Sequence, residues 1–278
     1  MTISAAPLIT QSAPLQILHI TDTHLFAQRD ARLLGITTYD SLRAVLAEAV
    51  ADPPQAVLAT GDLAQDGTAA AYEHLTELLS DFAQNCPSPP PVYWLPGNHD
   101  EPEVMRATLT RAPLCPVQEV TIEGWYVVLL DSTIPGQVGG ALSEAELQRL
   151  EAGLASHPQC PALVCLHHNP VATDARWMDA IGLANADAFF AVLDRHANVR
   201  GVVWGHIHQE VDQERNGARL LASPSTCIQF RPKTDTFGLD QRAPGYRRLW
   251  LYPDGRLETQ VFRVTNFTGC ADVNATGY

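Results

Sequence analysis

Polar residues capable of holding a cation recur at one kind of place in this sequence, directly after short apolar runs. Asp22 and His24 follow "LQILHI", and Asp62 follows "QAVLAT". Asn98 and His99 come after "VYWL" within "GNHD", His167 and His168 after "ALVCL", and His206 and His208 after "VVW" in "GHIH". The set offers oxygen and nitrogen donors and no thiolate. Such ligands suit Mn, Fe, Zn or Co and suit calcium or structural zinc poorly. There are more donors than the roughly four that one ion takes. Two ions ~3.5–4 Å apart that share a carboxylate would use the surplus and can clamp a phosphoryl group.

Each fragment alone has a plain explanation. D-x-H occurs as surface or capping residues, Gly-Asp marks turns, and "GNHD" can be a tight turn with a left-handed Asn. "GHIH" says more, because alternation in an extended segment sends both imidazoles to one side. A histidine serving only the core would have to be invoked separately at every position. The ordered set needs one explanation: loops at strand ends converging on a site that rigid strands hold in place. Gly97 is expected to let the chain turn sharply before Asn98 and His99.

The positioning elements are legible as alternating strands and helices. Leu15–Ile20, Gln55–Thr60, Val92–Leu95, Trp125–Leu130, Ala162–Leu166 and Val199–Trp204 read as short buried strands. Apolar residues at three- and four-residue spacing predict helices over Tyr39–Val50 and Thr68–Ser80, and a helix is also read over Ala186–His196. "SEAELQRLEAGL" adds a helix with a capping box, Ser143 with Glu146 three positions on. From Gln209 onward, short strands broken by "NG", "PDG" and "APG" turns make the remainder β-rich. "CPSPPP" reads as a surface loop, because the strand–helix alternation continues across it. One α/β domain with two helix-covered sheets fits these elements.

Composition narrows the setting. The 278 residues are 46 % apolar, enough for a sizeable core, and no uncharged apolar stretch approaches the ~20 residues of a membrane span. The start lacks the pattern of a secretory signal. The six cysteines form no C-x-x-C pair and fit reduced thiols in the cytoplasm. A formal net charge of −13 argues against a nucleic-acid surface, and would repel an anionic substrate unless bound cations reverse it locally.

The ordered set D-x-H, GD, GNHD, H and GH-x-H, spanning residues 22 to 208, resembles the calcineurin-like metallophosphoesterases. The longer stretches "ILHITDTHLFAQ", "ATGDLAQDGTAAAY", "WLPGNHD", "GHIHQEVD" and "LLASPSTCIQFRP", with "APGYR" behind them, resemble the bacterial class III 3′,5′-cyclic AMP phosphodiesterases through nearly the whole chain. The resemblance implies a four-layer α-β-β-α sandwich as a single domain over residues 1–264, with a loosely held tail over 265–278. It implies one ion on Asp22, His24, Asp62 and His208 and a second on Asp62, Asn98, His167 and His206, with Asp62 bridging. Fe or Mn is the expected pair, with Zn or Co as alternatives. The implied reaction opens cyclic AMP to 5′-AMP by attack of a hydroxide shared between the ions. The phosphate would meet His24, Asp62, Asn98, His99 and His208, with His99 as the catalytic imidazole.

Several roles stay open at this level. His168 rivals His167 as ligand, in a segment "LHHNP" where relatives tend to carry Pro or a third His at Asn169. Asp100 either orients His99 or caps the next helix. "STCIQF", with Phe230 and Arg231, either lines a base pocket or, for Phe230, belongs to the core. His19, His74, His157 and His196 receive no function. Rival readings are an enzyme for another phosphodiester or nucleotide (a 2′,3′-cyclic nucleotide, a glycerophosphodiester) and a non-catalytic binding protein, which missing ligands would mark; none is missing. The expected partner is the small-molecule substrate alone, with no nucleic acid or membrane, for a cytoplasmic monomer or small homo-oligomer.

Overall fold

The computed structural model describes residues 13–277. In chain order the first half runs β1 (Leu15–Ile20), β2 (Arg32–Leu33), β3 (Ile36–Thr37), α1 (Thr38–Ala49), β4 (Ala56–Thr60), α2 (Ala69–Gln84), β5 (Val92–Leu95), α3 (Pro102–Thr108), β6 (Leu114–Cys115), β7 (Glu119–Ile122) and β8 (Trp125–Leu129). The second half runs α4 (Glu144–Ser156), β9 (Ala162–Cys165), α5 (Arg176–Asp179), α6 (Ala186–Leu193), β10 (Val199–Trp204), β11 (Val211–Arg215), β12 (Ala218–Ala222), β13 (Gln229–Phe230), β14 (Leu239–Asp240), β15 (Gly245–Leu251) and β16 (Leu257–Arg263). Two six-stranded sheets form, in the orders β16-β15-β1-β4-β5-β6 and β11-β12-β10-β9-β8-β7. In the first, β1, β4, β5 and β6 are parallel, β15 runs antiparallel to β1, and β16 runs antiparallel to β15. In the second, β8, β9, β10 and β12 are parallel between the antiparallel edges β7 and β11.

Two-residue alternation explains the layering. Ile17, Leu58, Tyr93 and Leu95 point into the seam between the sheets, where they meet Trp125, Val127, Leu163, Val203 and Leu221. Their neighbours Leu18, Ile20, Val57, Ala59 and Trp94 point outward, against Leu42, Val45 and Leu46 of α1 and Tyr72, Leu75 and Leu79 of α2. On the far side Tyr126, Val128, Val164, Val202 and Trp204 pack under Leu150 and Leu154 of α4 and Phe189 and Phe190 of α6. The order is therefore helix, sheet, sheet, helix, as expected. Strands covered on both faces must be apolar throughout, which is why they stand out as continuous runs. Each buried Leu, Ile or Val adds roughly 1.5–3 kcal/mol.

The helix starts are partly as expected. Thr68 stands just before α2 and accepts from the Ala71 N–H at 3.3 Å; Ser143 does the same for α4 from the Glu146 N–H at 3.1 Å. The reciprocal half of the capping box is replaced. The Glu146 carboxylate accepts from the Asp131 N–H at 2.9 Å and pairs with Arg149 at 2.7 Å, tying α4 to the end of β8. Beyond β16, residues 265–277 hold no helix or strand. The Asp272 N–H donates to the Leu34 oxygen at 2.8 Å, and Phe267 packs against both outer clusters.

Candidate metal centre

Parallel pairing brings the ends of β1, β4 and β5 level, with Ile20 opposite Ala59 and Thr60 opposite Leu95. The loops that follow are then stitched together. The Asp22 N–H donates to the Gly61 oxygen at 3.0 Å and the His24 N–H to the Asp62 oxygen at 2.9 Å. The second sheet joins through the His206 N–H, which reaches both carboxylate oxygens of Asp22 at 3.0 and 3.2 Å. Asp22, His24, Asp62, His206 and His208 all adopt a positive φ, between 46° and 67°. L-residues hold that conformation at a cost of order 1–3 kcal/mol, and it gathers at functional sites where the surroundings enforce it. Gly97 is needed for room and not for its turn. A Cβ there would stand 2.3 Å from both the N and Oδ1 of Asp62, while its φ is not positive.

The structure gathers the sequence-derived donors into adjoining groups. Asp22, His24 and His208 offer ligand atoms within 4.8 Å of one another, and so do Asp62, His167 and His206. His24, Asp62 and His99 form a further such group. Asn98 joins on the side of His167, its Oδ1 lying 3.2 Å from His167 Nε2. Asp62 connects the groups. Its Oδ1 accepts from the His99 N–H at 2.9 Å. Oδ2 faces both sides, 3.3 Å from His167 Nε2 and 3.9 Å from His24 Nε2. That oxygen is buried and makes no hydrogen bond of good geometry among the described residues.

Each imidazole has one nitrogen committed to an oxygen. The Nδ1 of His167 lies 2.9 Å from the Thr60 oxygen and that of His208 2.9 Å from the Ile228 oxygen. His206 uses Nε2 instead, 3.1 Å from the Ile181 oxygen. For His24, Nδ1 meets the Gln65 carboxamide oxygen at 2.6 Å. A carbonyl only accepts, so an N–H sits on that side, and with a cation bound the other nitrogen would turn a lone pair toward the centre. The Nε2 atoms of His24 and His208 consequently face each other at 3.1 Å, two lone pairs that a cation beside them would reconcile.

The electrostatics ask for the same thing. Burial disfavours a charged Asp62, yet His167 beside it holds the carboxyl well below its usual range. Burial would likewise lower His167, but Asp62 and Asp22 push it up to about 9. Burial keeps His24 neutral, down at about 3 despite Asp62, and pushes His206 well below its ordinary value. Two buried carboxylates ringed by imidazoles, with a carboxylate oxygen at the middle that makes no hydrogen bond of good geometry among the described residues, fit divalent transition-metal ions.

His168 uses both ring nitrogens away from the groups, Nδ1 at 2.8 Å from Ser132 Oγ and Nε2 at 3.1 Å from the Val138 oxygen. Asp100 does not cap α3, which Glu101 precedes without a side-chain cap. Its carboxylate accepts from the N–H groups of Leu63, Ala64 and Gly97 and from the Tyr72 hydroxyl at 2.9–3.1 Å, clamping the loop after β4 to the loop after β5. Burial and the Asp62 carboxylate push Asp100 up to about 7 while those N–H groups pull the other way. Phe230 is fully buried behind the centre, stacked on His208 at 4.2 Å and edge-on to Trp177 and Phe237. Arg231 turns to the Leu239 oxygen at 3.4 Å. Sequence reasoning gave no role to Gln65, Ser132 or Ile181. Only Gln65, inside the quoted "GDLAQD", carried any signal.

The family profile described as calcineurin-like phosphoesterase matches residues 15–210, which contain every residue of these groups. The 3′,5′-cyclic adenosine monophosphate phosphodiesterase CpdA of Escherichia coli is 44 % identical over 271 residues, 96 % of each chain. CpdA of Pseudomonas aeruginosa is 42 % identical, again over 96 % of each chain. Among solved structures, a dimetal phosphatase from Danio rerio superposes with a TM-score of 0.64 at 20 % identity, covering 91 % of this chain and 100 % of that one, a likeness of fold. With the donors at the strand ends, the two-sheet architecture and near-full-length relatives in agreement, the chain belongs to the calcineurin-like phosphoesterase family.

Proposed function

We propose that this chain hydrolyses 3′,5′-cyclic AMP to 5′-AMP at a dinuclear metal centre and so lowers cyclic AMP in the cytoplasm. The observation that carries the reading is the pair of donor groups joined at Asp62 Oδ2, in a chain 44 % identical to a named cyclic AMP phosphodiesterase over 96 % of its length. Asp22, His24, Asp62 and His208 would hold one ion and Asp62, Asn98, His167 and His206 the other, as Fe or Mn with Zn or Co as alternatives. Bound there, the ions supply Lewis-acid stabilisation of phosphoryl oxygens and a water acidic enough to attack at neutral pH.

The chain's own part is positioning and proton handling. Hydrolysis adds hydroxyl to phosphorus and a proton to the departing 3′ oxygen. His99, half-buried beside His24 with ring centres 5.1 Å apart, has its backbone fixed on Asp62 and its imidazole at the rim. We assign it the proton delivered to the 3′ oxygen, or a hydrogen bond to a phosphoryl oxygen. His168 holds the wall behind His167 and His206. Among the described residues no helix is long and apolar enough to cross a membrane. Reduced cysteines support the cytoplasmic setting, for a monomer or small homo-oligomer without a nucleic-acid partner.

The test is steady-state hydrolysis of a panel, with metal content measured on the same sample. The panel holds cyclic AMP, cyclic GMP, a 2′,3′-cyclic nucleotide, a glycerophosphodiester and bis(p-nitrophenyl) phosphate. Cyclic AMP should give 5′-AMP with the highest kcat/KM among the biological esters, from protein carrying two ions. No turnover of cyclic AMP, or 3′-AMP as product, would overturn the reading.

A further inference from the structure

We infer that Gln65 is a positioning residue that fixes the tautomer of His24 and thereby the affinity of one of the two ions; the inference rests on the dimetal reading above. Three of the four imidazoles are locked by backbone carbonyls, those of Thr60, Ile228 and Ile181. His24 alone among them is locked by a side chain, the Gln65 carboxamide oxygen at 2.6 Å from Nδ1. If the amide were reversed, its NH2 would donate to Nδ1, the proton would move to Nε2, and His24 would present an N–H to His208 and Asp62. The oxygen-in orientation is therefore part of the site's chemistry.

The surroundings hold the backbone that carries Gln65 in place beside His24. The Gln65 N–H donates to the Leu25 oxygen at 2.7 Å, one residue beyond His24. Next along the chain, Asp66 accepts from the Ala27 N–H at 2.9 Å and from the Thr68 hydroxyl at 2.8 Å. The turn after β4 is thus fastened along the whole His24–Ala27 segment. A carboxamide also differs from a carboxylate in a way that matters here. It accepts the Nδ1 proton without adding negative charge beside Asp62 and Asp22. His24 thus stays a weaker donor, and the ion it holds keeps more of its Lewis acidity.

Because the acceptor is a side chain, it can be changed without touching a ligand. The experiment titrates metal-stripped enzyme with manganese(II) alone and counts sites and affinities, with circular dichroism as the check on folding. Gln65→Met keeps the length and removes the acceptor. It should weaken one of two manganese sites by about 10–100-fold and leave the other unchanged. Gln65→Glu restores an acceptor and should bind that ion as tightly as the unaltered protein or more so. A role confined to packing would leave the two variants alike. Two unchanged sites in Gln65→Met would overturn the assignment, and so would a weakened site in Gln65→Glu. If Gln65→Met does not fold, Gln65→Leu, which also lacks the acceptor, takes its place in the comparison. Fewer than two sites in the unaltered protein would overturn the dimetal reading itself.

Discussion

At the scale of single residues, the centre divides labour between neighbours that look interchangeable in sequence. Asn98 faces His167 while His99 hangs its backbone on Asp62 and leaves its imidazole at the rim. His99→Asn should therefore retain both ions and lose at least ~10²-fold in kcat on cyclic AMP. With bis(p-nitrophenyl) phosphate, whose leaving group needs no proton, the loss should shrink. An equal loss on both esters would assign His99 to holding the phosphate, and loss of metal would make it a ligand, as its grouping with His24 and Asp62 permits. Asp62 is the opposite case. One oxygen faces both groups, so Asp62→Ala should remove metal and activity more completely than Ala at His24, His167, His206 or His208. Two tightly held ions in Asp62→Ala, by elemental analysis after dialysis, would contradict the bridge.

At the scale of elements, the loops are accurate because they are tied to one another. Asp100 shows how. Its carboxylate serves three backbone N–H groups and one hydroxyl, all buried, from two loops and α2. Each orphaned donor costs roughly 1–3 kcal/mol. Asp100→Ala should accordingly lose about 3–5 kcal/mol in urea unfolding, along with metal affinity. Unchanged stability with a drop confined to kcat would return Asp100 to the role of orienting His99. This clamp also shows how far the sequence can be read. The strands β1, β4, β5, β8, β9 and β10 were legible because burial on both faces requires apolar residues throughout, and the donors were legible because they end those runs. The carbonyls of Thr60, Ile181 and Ile228 that lock the imidazoles were not, since a backbone oxygen is common to every residue type. The same holds for the two-residue strands β2, β3, β6, β13 and β14, whose pairing is set by tertiary contact. Gly97 was read as a turn, yet close approach to Asp62 is what excludes a side chain there.

At the scale of the whole molecule, the two sheets are joined by a polar connection as well as an apolar seam, and this makes the fold acid-sensitive. His19 of β1 is fully buried, with Nε2 2.7 Å from Thr60 Oγ1 of β4 and Nδ1 2.6 Å from Ser223 Oγ, just beyond β12 in the other sheet. Burial, helped by the nearby Arg247 guanidinium, lowers its pKa to about 3. In the unfolded chain the same imidazole protonates near its ordinary 6.5. Below that pH the unfolded state binds the extra proton, so the contribution is fully present above about pH 6.5 and drains away as the pH falls toward 3. The slope is at most about 1.4 kcal/mol per pH unit for one such group. Burial also lowers His168 to about 3, so the unaltered protein should lose stability more steeply than His19 alone accounts for. Urea unfolding from pH 6.5 to 4.5, with chelator throughout so that metal release adds nothing to the slope, isolates the effect. His19→Gln should be less stable at pH 7, because Thr60 and Ser223 lose a rigid partner, and its stability should fall with a slope shallower by up to one proton. Equal slopes in the two proteins would mean that His19 already carries its proton in the folded state.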